Sequence, residues 1–262
     1  MLRTLRTASE AMHRDQARVD TLANNLANAA TTGFRQVLTR VAEADSGPPG
    51  GRDALDQLPP DAGPAGRAVG DQAWLPRRDL DMSQMLDTRP GPLQSTGRAT
   101  DVALSGPGFL VVQDPEAGEL YTRDGALQLD PTGLLVNGSG LPVQGEGGPI
   151  NAAGGVLAIA GDGTVTVGGQ LRGRLRVVDF AAPENLTPRG DGLLAAPAAA
   201  AAAAVEPDQV TVVQGHLEGS NVDPVRTLVD MIAAQRAFEI GTKVLQANDE
   251  MLGKSVNSFR AG

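Results

Sequence analysis

Both ends of the chain carry an apolar stripe at seven-residue spacing, and the stretch between them is broken throughout by glycine and proline. Residues 1 to about 30 contain neither breaker. Leu5, Met12, Val19 and Leu26 recur every seven residues. Ala8, Asp15, Leu22 and Ala29 follow each by three, an a/d pattern with one polar miss at Asp15. At the other end Met231, Phe238, Leu245, Leu252 and Phe259 keep the same spacing. Their flanking positions are mixed: Leu228 and Val256 are apolar, whereas Gln235, Thr242 and Asp249 are not. A helix of about 33 residues would run roughly 50 Å, against about 11–12 residues for a typical globular helix. A long helix with a narrow stripe calls for a helical partner. The pattern therefore predicts that the two ends pack together as a coiled-coil-like stalk.

The boundaries have their own signals. Asp223-Pro224 reads as N-cap and first helical residue, because proline's missing N–H is harmless there. The first helix is expected to stop near Thr31-Thr32-Gly33, with Gly33 in the left-handed conformation that ends a helix. On that reading a β-branched residue at 33 is strained, whereas Asn, which visits the left-handed region, is tolerated.

The middle reads as β. Asp124-Gly125, Asn137-Gly138 and Asp162-Gly163 are tight-turn dipeptides between short apolar runs, and Leu175–Phe180 has strand composition. Residues 45–72 form a Pro/Gly/Asp-rich loop, and the alanine tract at 195–204 reads as a linker. The fold class expected is α+β, a central all-β region flanked by long terminal helices. Five segments follow: a helix at 1–35, a connecting segment at 36–92, a β-rich domain at 93–194, an Ala-rich linker with a return strand at 195–222, and a second helix at 223–262.

Composition narrows the function. The net charge of −9 argues against nucleic acid, whose binders need a basic surface, and against an anionic membrane. With no cysteine there is no disulfide, thiolate metal site or cysteine nucleophile. The two histidines, His13 and His216, sit in different elements without apparent partners. Asp179, Glu184 and Asp191 are scattered near turns rather than paired, as a glycosidase acting on the cell wall would need. Gly106-Pro107-Gly108 is too short for a phosphate loop and no Gly-Lys-Ser/Thr follows it. No window of the sequence is apolar enough to span a bilayer, and charges interrupt the first twenty residues where a signal peptide would be continuous. No enzyme, cofactor, metal or small-molecule substrate is expected. A secreted β-rich adhesin would fit the middle of the chain, but its ends would not need heptads.

Several segments resemble a known family. The run from Asn24 through Leu26, Asn28 and Gly33 to Phe34-Arg35 resembles the N-terminal signature of the flagellar basal-body rod and hook axial proteins. Gly215–Val222 followed by Met231–Glu239 resembles the matching C-terminal half, and Gly108-Phe109 with Tyr121–Gly125 agrees between them. Pro107 departs from the pattern, which usually has an acidic residue there. The segments 145–150, 173–180 and 249–257 resemble the proximal-rod branch more than the distal-rod branch.

The resemblance implies a non-catalytic subunit, exported unfolded by the flagellar type III apparatus without a cleavable signal peptide. It would polymerise with itself and other rod proteins into the periplasmic shaft that carries torque from motor to hook. The residues expected at subunit interfaces are Leu5, Met12, Val19, Leu22, Asn25, Leu26, Asn28, Gly33, Phe34, Met231, Gln235, Arg236, Phe238, Leu245 and Leu252.

Overall fold

The computed structural model describes residues 2–45, 78–197, 200–205 and 209–260. Most of the Pro/Gly-rich loop expected at 45–72 lies outside the described residues. The chain divides into two compact units, one made of Met1–Leu38 with Met85–Gly262, the other of Thr39–Gln84. Val37–Asp45 and Arg78–Leu86 form a two-stranded ribbon, of which Val37, Leu38, Met85 and Leu86 belong to the larger unit and the rest to the smaller.

The larger unit is organised by a six-stranded sheet. Its strands run in the order Thr187–Gly190, Leu193–Ala195, Gly118–Thr122, Phe109–Asp114, Val177–Phe180, Ala202–Ala204. Every pairing in it is antiparallel. The alanine tract thus contributes an edge strand, with Val178 opposite Ala204 and Phe180 opposite Ala202. Successive side chains on a strand point to opposite faces, and here both faces are buried. Leu110, Val112, Leu120, Val177 and Leu193 enter one apolar cluster with Leu135, Val143, Ile150, Val165 and Leu175. Phe109, Val111, Tyr121, Val178, Phe180 and Leu194 enter a second with Val37, Leu86 and Leu186.

The first cluster contains no ring at all, and the second holds three. There Tyr121 meets Phe180 edge-on, centroids 4.8 Å apart, and Phe109 lies 6.3 Å from Phe180. The aliphatic cluster is roofed by small β-elements. Leu157–Ile159, Thr164–Val167 and Gln170–Arg174 form a three-stranded sheet, and Thr211–Gln214 pairs with Val102–Ser105. The Asp162-Gly163 turn behaves as its composition predicts. Asp162 accepts the Thr164 N–H at 2.9 Å, and Gly163 has φ +85°.

The expectation of a coiled-coil-like stalk between long flanking helices is corrected here. The described residues hold one α-helix at each end, α1 (Leu2–Ala27) and α2 (Pro224–Arg260), around a mostly β interior. The helices touch where Gly241 lies against Met12, but among the described side chains no fully buried apolar seam joins them. Among their described side chains only Thr21, Asn25, Thr227 and Ala234 are buried, and none is an apolar residue of the predicted stripes. Met12, Val19, Leu22, Leu26, Met231, Phe238 and Leu245 are half-buried, and Gln235 is exposed. The reason lies in the stripe itself, where Asp15, Gln235 and Thr242 interrupt it and cannot seal a dry interface. Both helices also belong to the same compact unit as the β-sheet, so they are not a stalk set apart from it.

Phe180 is 5% exposed at the centre of the ring cluster. Phe180→Ala should cost about 3–5 kcal/mol in urea unfolding. Leu171→Ala, at a site 70% exposed, should stay within about 0.5 kcal/mol.

Candidate functional site: the junction of the two chain ends

Helix α1 ends at Ala27, earlier than the sequence suggests, and a series of turns carries the chain to Gly33. The Asn28 amide donates to Asn24 O at 2.9 Å, and the Thr31 hydroxyl to Asn28 Oδ1 at 3.2 Å. Gly33 has φ +66°, the left-handed value expected of it. Asn25 is 1% exposed, and its amide closes a two-way clasp on Val37. Asn25 Nδ2 donates to Val37 O at 2.7 Å, and Val37 N–H donates to Asn25 Oδ1 at 2.8 Å.

The segment after Gly33 is stitched to the segment before α2. Gly33 N–H donates to Glu218 O at 2.7 Å, and Gln36 N–H donates to Asn221 Oδ1 at 2.7 Å. Asn221 Nδ2 reaches Arg89 O at 2.9 Å and Asp87 O at 3.1 Å. Helix α2 then starts as its sequence predicts. Asp223 Oδ1 accepts the N–H groups of Val225 and Arg226 at 3.0 and 3.1 Å, with Pro224 the first helical residue.

At the centre sits Glu218, 1% exposed. Arg35 Nη2 lies 2.7 Å from one carboxylate oxygen and Arg123 Nη1 lies 3.2 Å from the other. Gly91 N–H donates to Oε1 at 2.9 Å. The guanidiniums have further acceptors. Arg35 Nη1 donates to Arg89 O at 2.6 Å, and Arg123 donates to Leu104 O at 3.2 Å and Gly106 O at 2.7 Å. Arg123 also lies over the Phe109 ring, 5.3 Å from its centre, which joins the charge cluster to the aromatic core. Burial pushes the Arg123 guanidinium down to about 10, although the Glu218 carboxylate pulls the other way. Nearby, Arg89 clamps Asp87 through two nitrogens and holds its carboxyl below the usual carboxylate range.

Close backbone approach makes this knot possible. A Cβ on Gly33 would sit 2.2 Å from Asp124 N, and one on Gly91 would sit 1.9 Å from Gly219 O. Both distances exclude any side chain. The expectation that Asn is tolerated at Gly33 is therefore corrected. The left-handed φ admits Asn, but the Arg123-Asp124 backbone does not.

The sequence-expected interface residues divide into two groups. Asn25 and Gly33 are buried in the junction, with Asn28 and Phe34 half-buried at its rim. Met12, Val19, Leu22, Leu26, Met231, Phe238 and Leu245 are half-buried on the helices, and Gln235 and Arg236 are exposed. Leu5 and Leu252 lie where only the backbone is described. The residues at the heart of the knot, Arg35, Arg123, Glu218 and Asn221, were not picked as site residues. Glu218 stands in a polar, Gly-flanked stretch where Leu217 is the one apolar neighbour, so no local pattern marks it as a charge that is buried and paired with distant residues.

A cavity of about 140 Å³ opens beside Asn28, Phe34 and Asp191, and a cleft of about 680 Å³ beside Pro90, Asn221 and Arg226. His13 is exposed, and His216 Nδ1 lies 3.1 Å from Gln214 O. Among the described residues no group of three or more His, Asp or Glu is placed to hold a metal ion, and no helix is long and apolar enough to cross a membrane. The buried polar groups of this site are directed at other segments of the same chain, an arrangement suited to a structural class of protein.

Comparison with known proteins places the chain within that class. Residues 5–35 match the family model described as flagella basal body rod protein. Residues 103–167 match the flagellar hook protein FlgE/F/G D1 domain, and residues 213–258 the flagellar basal body rod FlgEFG protein C-terminal model. The chain is 31% identical to the flagellar basal-body rod protein FlgG of Agrobacterium fabrum, over 95% of this chain and 97% of that one. It is 36% identical to the flagellar basal-body rod protein FlgF of Salmonella typhimurium, over 89% of this chain and 88% of that one. The chain belongs to the flagellar basal-body rod protein family, as a structural subunit and not an enzyme.

Glu218→Gln leaves two buried guanidiniums without their counter-charge and should cost about 3–5 kcal/mol in chemical denaturation. Gly33→Ala, Gly33→Asn and Gly33→Val should all lower the thermal midpoint, in contrast to the pattern expected from φ alone. Asp87 has a lowered folded-state pKa, so its contribution is complete above the ordinary carboxylate value and is lost as pH falls below about 4. Asp87→Asn should therefore flatten the acid limb of the stability–pH curve while leaving the slope above pH 6 unchanged.

Proposed function

We propose that this subunit polymerises through its terminal helices, with copies of itself and with other rod proteins, into the shaft that carries torque from motor to hook. The observation that carries this reading is the outer face of α2. Val225, Leu228, Val229, Ile232, Ile240, Val244 and Met251 are all exposed there. At about 100° per residue Leu228 borders the stripe of Thr227, Met231, Ala234, Phe238 and Leu245, and the other six fall on the side away from it. Exposed apolar side chains in this number, interspersed with the exposed Arg236, Glu239 and Lys243, suit a mixed surface for another chain. The interface role of the half-buried heptad residues, from Met12 to Leu245, is part of the same proposal.

Export by the flagellar type III apparatus and a periplasmic position follow from this assignment. A proximal position in the rod is favoured by the 36% identity to a FlgF protein. A distal position is the second reading, favoured by coverage, because the FlgG protein of Agrobacterium fabrum aligns with 95% of this chain and the FlgF protein with 89%. Complementation of strains lacking the proximal or the distal rod subunit distinguishes the two.

Ile240 is 63% exposed in the single chain. Ile240→Asp should leave the thermal unfolding of the monomer unchanged and abolish swimming when it replaces the wild-type subunit. Swimming at the wild-type level would remove the outer face of α2 from the assembly interface.

A further inference from the structure

The junction ties four separate stretches of chain, and two side chains carry most of the ties. Glu218 binds Arg35, Arg123 and the Gly91 N–H through its carboxylate, and the Gly33 N–H through its carbonyl. Asn221 binds the Gln36 N–H through its side-chain oxygen and the carbonyls of Asp87 and Arg89 through its amide nitrogen. Beyond these, Asn221 N–H donates to Phe34 O at 3.4 Å, Asp87 N–H to Gln36 O at 2.8 Å, and Gly219 N–H to Pro92 O at 2.8 Å. The segment 33–36, the loop 87–92 and the segment 218–221 thus hold one another, largely through polar groups. The fourth stretch, at Arg123-Asp124, belongs to the sheet, and Thr32 meets it through a hydroxyl bond to Asp124 Oδ1 at 2.7 Å.

We infer that the stretches 33–36, 87–92 and 218–221 are a latch that opens and closes as one unit, separately from the β-core. The chain's two ends would then be released from the sheet together and never singly. Three features lead to this. Removing the 218–221 segment strips Arg35 and Arg123 of their counter-charge at the same moment, so neither guanidinium remains stable in its buried place. The same removal takes the acceptors from the Gly33, Gln36 and Gly91 N–H groups, which lie on the other two stretches. The latch is also held by hydrogen bonds and ion pairs, whereas the adjoining core is a continuous aliphatic cluster with Leu110, Leu135, Val143 and Val165 nearly inaccessible. Regions held mainly by polar contacts open at lower free energy than such a core.

Native-state amide hydrogen exchange on the full chain tests this directly. The reporters are the N–H groups of Gly33, Gln36 and Gly91, compared with those of Leu135 and Val143, which bond to Ile150 O and Leu135 O inside the core. The three latch amides should share one opening equilibrium, more frequent than that of the core pair. Asn221→Ala removes only the bond to Gln36 among the three reporters, yet it should raise exchange about tenfold at Gly33 and Gly91 as well. Glu218→Gln should raise all three by about 100-fold or more, with Leu135 and Val143 changed far less. If Asn221→Ala accelerates Gln36 alone, the contacts are independent and the latch does not exist. If all five amides move together in both variants, the junction is part of the global unfolding unit and the inference fails equally.

Discussion

A carboxylate held away from water between two guanidiniums is the constraint around which the two ends of this chain are arranged. Desolvating each ion costs several kcal/mol, and only close, well-directed partners offset it. Glu218 finds three such partners on three different stretches, at Arg35, Arg123 and the Gly91 N–H. An apolar contact at the same place would tolerate small shifts of angle. The charge cluster does not, because each displaced partner leaves a buried ion exposed to its own desolvation cost. The direction in which α1 leaves the sheet and that in which α2 begins are therefore set by one group of polar atoms.

The cluster is reachable only because side chains are missing around it. Gly33 and Gly91 let backbone approach backbone, and Gly125 does the same against Val102 O, where a Cβ would come within 1.7 Å. These glycines serve proximity as much as torsion. Gly91 and Gly125 do not have positive φ, so a reading based on left-handed geometry alone would have found them replaceable.

Much of the architecture was legible in the sequence. The β-character of the middle follows from short apolar runs between Asx-Gly turns, and the start of α2 follows from Asp223-Pro224. The terminal helices were legible too, but their relation was not. Seven-residue spacing shows that one face of a helix is apolar and does not show how tightly that face is covered. Asp15, Gln235 and Thr242 within the stripes were the available sign that no closed seam would form. The junction was the least legible part. Arg35, Arg123 and Glu218 lie 88 and 95 residues apart along the chain, and no local period links residues that meet only after the sheet has formed. Asn25 and Gly33 could be picked out because a helix end has local rules, whereas a buried ion cluster has none.

The six-stranded sheet has a dry cluster on each face, and this changes what a pairing error would mean. In a sheet with one wet face, a strand that slips by one residue turns apolar groups toward water, and solvent penalises the mistake. Slipping Phe109–Asp114 by one residue would instead carry Phe109 and Val111 into the ring-free cluster, and Leu110 and Val112 among Tyr121 and Phe180. Little of that strand's apolar surface would become wetter. The wrong alignment is disfavoured by shape, since a benzene ring cannot enter a space built for branched aliphatic chains without displacing its walls. Placing Phe109, Tyr121 and Phe180 together on one side of the sheet thus gives the two faces different volumes, and correct alignment is selected by size rather than by polarity.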